Sequence, residues 1–231
     1  MLRSLSSNGV FLMGCALPQL EALQTQKVKR AVAHAFWTSA LGMMALEATK
    51  LYVIKQFPAN PVLDDLAKQQ VKKAYRNMGY DSHIRFGNAG LSFPATLTTL
   101  FSRRLVLFSC NQPITRQAYQ ELYAIAGHEA VHGKEHHQAI SEFGSLMTFE
   151  FIREWGKLCL YRPALVFTGA FVCASLLYCQ MMKGFEYRAD KVSAEKLHTE
   201  RELLAAVLQS RNQVDFSHPS VESRAGQLKS P

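Results

Sequence analysis

Patterns that build disulfides are missing from this chain. Its five cysteines (Cys15, Cys110, Cys159, Cys173 and Cys179) are odd in number and contain no C-x-x-C pair. That argues against a disulfide framework and against a cysteine-ligated structural zinc, and makes reduced thiols in a reducing compartment the expectation. Zinc-finger spacing and basic stripes interleaved with aromatics are lacking too, so the net charge of +8 is not read as a nucleic-acid signature; attraction to an anionic membrane surface explains the same charge. Internal repeats and low-complexity tracts are absent, and nothing in the pattern speaks to oligomeric state.

What is present is a chain of 231 residues with an apolar share of 48%, enough to bury one sizeable core with appendages. The expected division is an N-terminal segment over 1–57 and a main domain over 58–231 with an apolar helical insert around 140–183. Met1 to Leu20 has no acidic residue. Leu12-Met13-Gly14-Cys15 resembles a lipoprotein box, the stretch is poor in arginine for a presequence, and a loosely packed terminus is the third reading. Ala31 to Leu46 carries no formal charge and follows Lys27, Lys29 and Arg30. It falls just short of the ~20 residues that span a bilayer, so a buried or surface-bound helix is expected.

After Pro58 and Pro61, Val62 to Met78 reads as an amphipathic helix. Ser82–Phe86 and Leu105–Ser109 read as strands, with Gly87–Ser92 able to run as an exposed edge strand. Helices are expected over Thr115–His137, Ile140–Cys159, Ala164–Lys183 and Phe185–Glu200, and a short one closes the chain.

Chemistry concentrates in Tyr123–Gln138, which contains H-E-x-x-H: His128, Glu129 and His132. On a helix, a spacing of four puts both imidazoles on one face, where they can share one Zn²⁺, with Glu129 within reach of a bound water as general base. A five-residue pattern also arises by chance, so the third ligand decides. A third His at the metzincin spacing is not supplied, because that position is Gln138. A glutamate on a later helix, followed one turn on by an aspartate that holds a ligand imidazole, is the alternative. Glu186-Tyr187-Arg188-Ala189-Asp190 has that form. His136 and His137 read as charges at a helix C-terminus rather than as ligands; His34, His83 and His198 read as ordinary histidines.

Taken with E-Y-R-A-D downstream, H-E-A-V-H resembles the gluzincin metallopeptidases of the HtpX, CAAX prenyl endopeptidase, BepA and Oma type. Asn88-Ala89-Gly90-Leu91 stands where that family has its substrate-pairing edge strand. His218-Pro219 with Arg224 resembles its H-P-x-x-x-x-R element, whose His and Arg lie close to the metal. Two departures stand out: Ala130-Val131 reverses the family's usual large-then-small order, and the strand segment continues Gly90-Leu91-Ser92-Phe93-Pro94.

The resemblance implies an α+β, mostly α-helical fold, a zincin-like metallopeptidase domain with a small β-sheet beside the H-E-x-x-H helix. It implies one Zn²⁺ per chain held by His128, His132 and Glu186, with Asp190 behind a ligand and Glu129, His218 and Arg224 as catalytic groups. Asn88, Ala89, Gly90 and Leu91 would bind a protein or peptide substrate, drawn from membrane-associated or misfolded proteins. The alternative is a non-catalytic module of the same shape that binds or chaperones.

The membrane adds a parity constraint. Ala164–Met182 is an uncharged run of nineteen residues, yet it lies between His132 and Glu186, which have to meet. One crossing would separate them across the bilayer. A second crossing in Ile140–Cys159 would carry Glu142, Glu150, Arg153, Glu154 and Lys157. The run is therefore expected to pack as a buried helix, to dip into a membrane or to lie on one.

Overall fold

The computed structural model describes residues 26–56, 65–80, 84–88, 95–100, 104–108, 116–159, 162–209 and 218–229. Within these the chain is mostly helical. Seven helices are described: α1 (Gln26–Gln56), α2 (Asp65–Asn77), α3 (Arg116–Lys134), α4 (His137–Cys159), α5 (Pro163–Leu197), α6 (Glu200–Gln209) and α7 (Val221–Lys229). Three short strands, β1 (Ile84–Asn88), β2 (Ala95–Thr98) and β3 (Arg104–Phe108), lie between α2 and α3. The chain forms two compact units, one of residues 43–145 and 175–231, the other of residues 1–42 and 146–174.

The larger unit is built on α2, whose buried Ala67, Val71, Ala74 and Tyr75 recur at helical spacing. They form one core with Leu122, Ala126, Ala130 and Val131 of α3 and Ala189 of α5, and Ile84 and Phe86 of β1 pack against it. Gly79, at φ 72°, ends α2 in a left-handed turn that an L side chain would strain. Tyr80 N–H then bonds to Tyr75 O and Gly79 N–H to Arg76 O. Lys134 and Lys196 both donate to Met78 O, and the Tyr80 hydroxyl donates to Gly133 O, so the ends of α2 and α3 satisfy carbonyls the helices leave open.

In the sheet, β3 is central, parallel to β1 and antiparallel to β2. The expected strand over Ser82–Phe86 is found two residues later, and β2 had no counterpart in the sequence reading. β1 is an edge strand ending at Asn88; Ala89, Gly90 and Leu91 lie outside the described residues.

Helix α4 starts at His137 rather than Ile140 and α6 was not foreseen; two further differences bear on the site. The motif helix stops at Lys134 instead of running to His137, because His136 takes φ 54° and the chain turns into α4. Ala164–Lys183 and Phe185–Glu200, expected as two helices, are the single 35-residue α5. Gly184 stands at the expected break, but one glycine costs only ~1 kcal/mol in a helix, and no proline accompanies it.

The smaller unit inverts the usual pattern. Ala31, Ala35, Ser39, Val166 and Ala170 are buried, while Phe36, Trp37, Leu41, Leu165, Phe167 and Phe171 are exposed. Only 17% of the most apolar eighteen-residue window of α5 is buried, so burial within the protein, one of the readings offered for Ala164–Met182, is not what the structure shows. The charges of α4 face one another: Arg153 pairs with Glu150 at 2.7 Å and with Glu154 at 3.1 Å, and Lys157 with Glu154 at 2.6 Å.

In the larger unit, buried Lys50 bridges Glu47 at 2.9 Å and Glu142 at 2.6 Å. Leu100 N–H and the Gln138 amide occupy the other carboxylate oxygens. Removing the ammonium leaves two carboxylates facing each other away from water, so Lys50→Met should cost ~3–5 kcal/mol in urea denaturation. Adding Glu47→Gln and Glu142→Gln to that variant should recover most of the loss.

Candidate metal centre

The centre is assembled from α3, α5 and the segment leading into α7. On α3, His128 and His132 are one turn apart, and their Nε2 atoms approach to 3.0 Å. Gly127 lets α5 come close: a Cβ there would meet Leu197 Cδ1 at 2.2 Å and Ser193 Cβ at 3.7 Å. That approach brings Glu186 under both rings, with Oε2 3.3 Å from His128 Nε2 and Oε1 3.2 Å from His132 Nε2. One ligand atom from each of the three residues lies within 4.8 Å of the others.

Asp190, one turn beyond Glu186, is fully buried. Its Oδ1 is 2.8 Å from His128 Nδ1, a charge contact rather than a well-directed hydrogen bond. Arg224 closes the far side by donating from Nε to Asp190 Oδ2 at 2.7 Å and from Nη2 to Oδ1 at 2.6 Å. Its Nη1 is 3.3 Å from Glu186 Oε2. His218 Nε2 is 3.3 Å from Glu186 Oε1, with a side chain 43% exposed.

Glu129 is half-buried on the same helix. It adds to the field that favours charged Arg224 and forms no hydrogen bond or ion pair among the described residues. Of the sequence-derived site residues, His128, His132, Glu186, Asp190, His218 and Arg224 therefore come together. Asn88 ends β1.

The electrostatics call for a cation. Burial works against a charged His128, but Glu186 and Asp190 overcome it and raise its pKa to about 10. Burial likewise opposes ionised Glu186, and the histidines hold its carboxyl well below the usual range. Two buried carboxylates face one guanidinium, and without an ion a protonated His128 has to balance the charge left over. Glu186 Oε2 is buried with no hydrogen bond. Tetrahedral Zn²⁺ with bonds of ~2.0–2.1 Å sets its ligand atoms roughly 3.3 Å apart, close to the separations found. Two imidazoles and a carboxylate are a common zinc donor set, and the residues fit the ion.

Glu135, Phe185 and Arg188 escaped the sequence reading, and His137, read there as a charge at a helix C-terminus, is instead a buried ring at the start of α4. His137 is buried with Nδ1 3.1 Å from His132 Nδ1, and its ring stacks on Phe185 at 4.1 Å. Its Nε2 faces Glu135 Oε2 at 2.9 Å, and Arg188 binds both Glu135 oxygens. Burial, then the neighbouring His132, lower the His137 pKa to about 4. The spacing of five from His132 to His137 was visible, but a helix alone does not bring such a pair into contact; the turn at His136 does.

Compared with known proteins, residues 103–231 match the model of peptidase family M48, which covers more than half of the chain. No curated protein and no solved structure matches the chain.

The Arg224–Asp190 pair has a pH signature. Burial opposes ionised Asp190, but His128 and Arg224 outweigh it and lower its pKa below 3.8. The unfolded chain therefore takes up this proton first, so the pair's stabilisation is complete above pH ~4 and is lost as pH falls through the lowered value. Arg224→Met should cost ~3–5 kcal/mol at pH 7 in urea denaturation of the metal-free protein. The cost should shrink at pH 3, and Asp190→Asn added to Arg224→Met should restore part of it.

Proposed function

The chain belongs to peptidase family M48, and from that premise we propose that this metallopeptidase is a zinc-dependent endopeptidase acting on protein substrates. The family supports metal-dependent proteolysis. The observation that carries the finer reading is the meeting of His128, His132 and Glu186 around one point, with the uncommitted Glu129 on the same helix.

His128 and His132 would hold the ion through Nε2, and Glu186 through its carboxylate. An ion held there would supply Lewis-acid polarisation of a scissile carbonyl and a water of lowered pKa, ~7 for zinc. Glu129 accepts the proton of the attacking water and returns it to the leaving amine, a role open to a carboxylate that forms no hydrogen bond or ion pair among the described residues. Arg224 has its guanidinium committed to Asp190 and Glu186, so it steadies the ligand carboxylate rather than the substrate. His218, more exposed, is the group that donates to the developing oxyanion. The edge of β1, unpaired among the described residues, gives an extended peptide a strand to pair with, and Asn88 stands at its end.

We further assign the smaller unit to a lipid bilayer. Large apolar side chains face outward, small ones inward, and the α4 charges pair with each other, the arrangement lipid favours. That internal pairing lowers the cost that weighed against a second crossing in the sequence reading.

Glu129→Gln should keep one zinc per chain by elemental analysis and lower cleavage of a casein substrate by ~10²–10⁴-fold. Chelation should abolish cleavage by the parent protein, with zinc restoring it. Cleavage by Glu129→Gln at the parental rate would overturn the assignment. Stoichiometric zinc without cleavage by the parent would favour the non-catalytic module. For the membrane, expressed protein should stay in the pellet after alkaline carbonate extraction; release into the supernatant would rule out insertion.

A further inference from the structure

We propose that His137, held by Glu135 and Arg188, is the positioning residue for His132, fixing the tautomer in which His132 Nε2 is free to bind the ion. This rests on the zinc site proposed above. A ligand imidazole that binds through Nε2 keeps its proton on Nδ1, and that proton needs an acceptor. His128 meets a carboxylate on this side, Asp190. His132 meets the Nδ1 of His137 at 3.1 Å.

A nitrogen acceptor works only in one protonation state. For His137 Nδ1 to accept, its own proton has to sit on Nε2, and Nε2 faces Glu135 Oε2 at 2.9 Å. Glu135 accepts that proton only as a carboxylate, and Arg188 donates to both of its oxygens. Every contact in the series from Arg188 through Glu135 and His137 to His132 is then satisfied by a single assignment of protons. The ring cannot turn away freely, because it is buried, lies nearly parallel to Phe185 at 6°, and belongs to a residue whose carbonyl accepts from the Ser141 hydroxyl.

The two zinc histidines are therefore oriented by different devices. One answers to a buried carboxylate on the helix that supplies the third ligand. The other answers to a neutral imidazole at the start of α4, tied through Glu135 to Arg188 two residues from Glu186.

The test is zinc affinity of the full-length protein, measured by competition with a chromophoric chelator, together with the visible spectrum of the cobalt-substituted form. His137→Phe keeps an aromatic ring on Phe185 but removes the acceptor. It should weaken zinc binding ~10–100-fold and shift the cobalt bands, with the melting temperature of the metal-free protein little changed. Glu135→Ala should weaken binding in the same direction with less risk to packing, and Glu135→Gln, which keeps an acceptor oxygen, should recover part of the affinity. Affinity and cobalt spectrum equal to the parent's in both His137→Phe and Glu135→Ala would overturn the proposal. If the parent itself binds no zinc, the underlying site reading fails, a result separate from a variant that matches a zinc-binding parent.

Discussion

Two carboxylates buried one turn apart on the same helix are the constraint around which the centre is arranged. Glu186 and Asp190 sit where ionisation is costly unless opposite charge is brought to them. Arg224 supplies one such charge with a two-toothed grip on Asp190, and His128 lies between the two acids. A dication between Glu186 and the imidazoles would take over the part that a protonated His128 plays without it. Metal affinity and fold stability are thus coupled, since the groups that hold the ion are those whose charge has to be balanced when it is absent.

Close helix packing makes that balance attainable. Gly127 leaves no side chain between α3 and α5, and Leu197 Cδ1 occupies the space a methyl would claim. Ala126, Ala130 and Ala189 carry the same small-residue contact along the core. The motif glutamate and histidines are placed by a helix that meets α5 through a glycine. Bulk on that side would separate donor atoms that now stand about 3 Å apart.

The centre was legible because its residues obey local rules. Four-residue spacings in H-E-x-x-H and in E-x-x-x-D are helical periodicity, which survives whatever the surrounding fold does. Arg224 and His218 were reached only through resemblance, since nothing in their own neighbourhood says that they turn towards Asp190 and Glu186. His137 was misread as a helix-end charge for a different reason: its contact with His132 depends on a left-handed residue at His136, where no glycine marks the turn. The join of two expected helices into α5 was hidden by Gly184, which looks like a stop yet has too small a cost to act as one. β2 was missed because Ala95–Thr98 is too short to show alternation.

The continuity of α5 also bears on the parity constraint: its apolar stretch ends at Met182, and Glu186 follows four residues later on the same helix. What His132 and Glu186 require is not that the intervening chain avoid a membrane, but that any crossing by α4 be matched by a return along α5 to the same side. The mutual pairing of Glu150, Arg153, Glu154 and Lys157 makes that return through lipid less costly than their isolated charges imply.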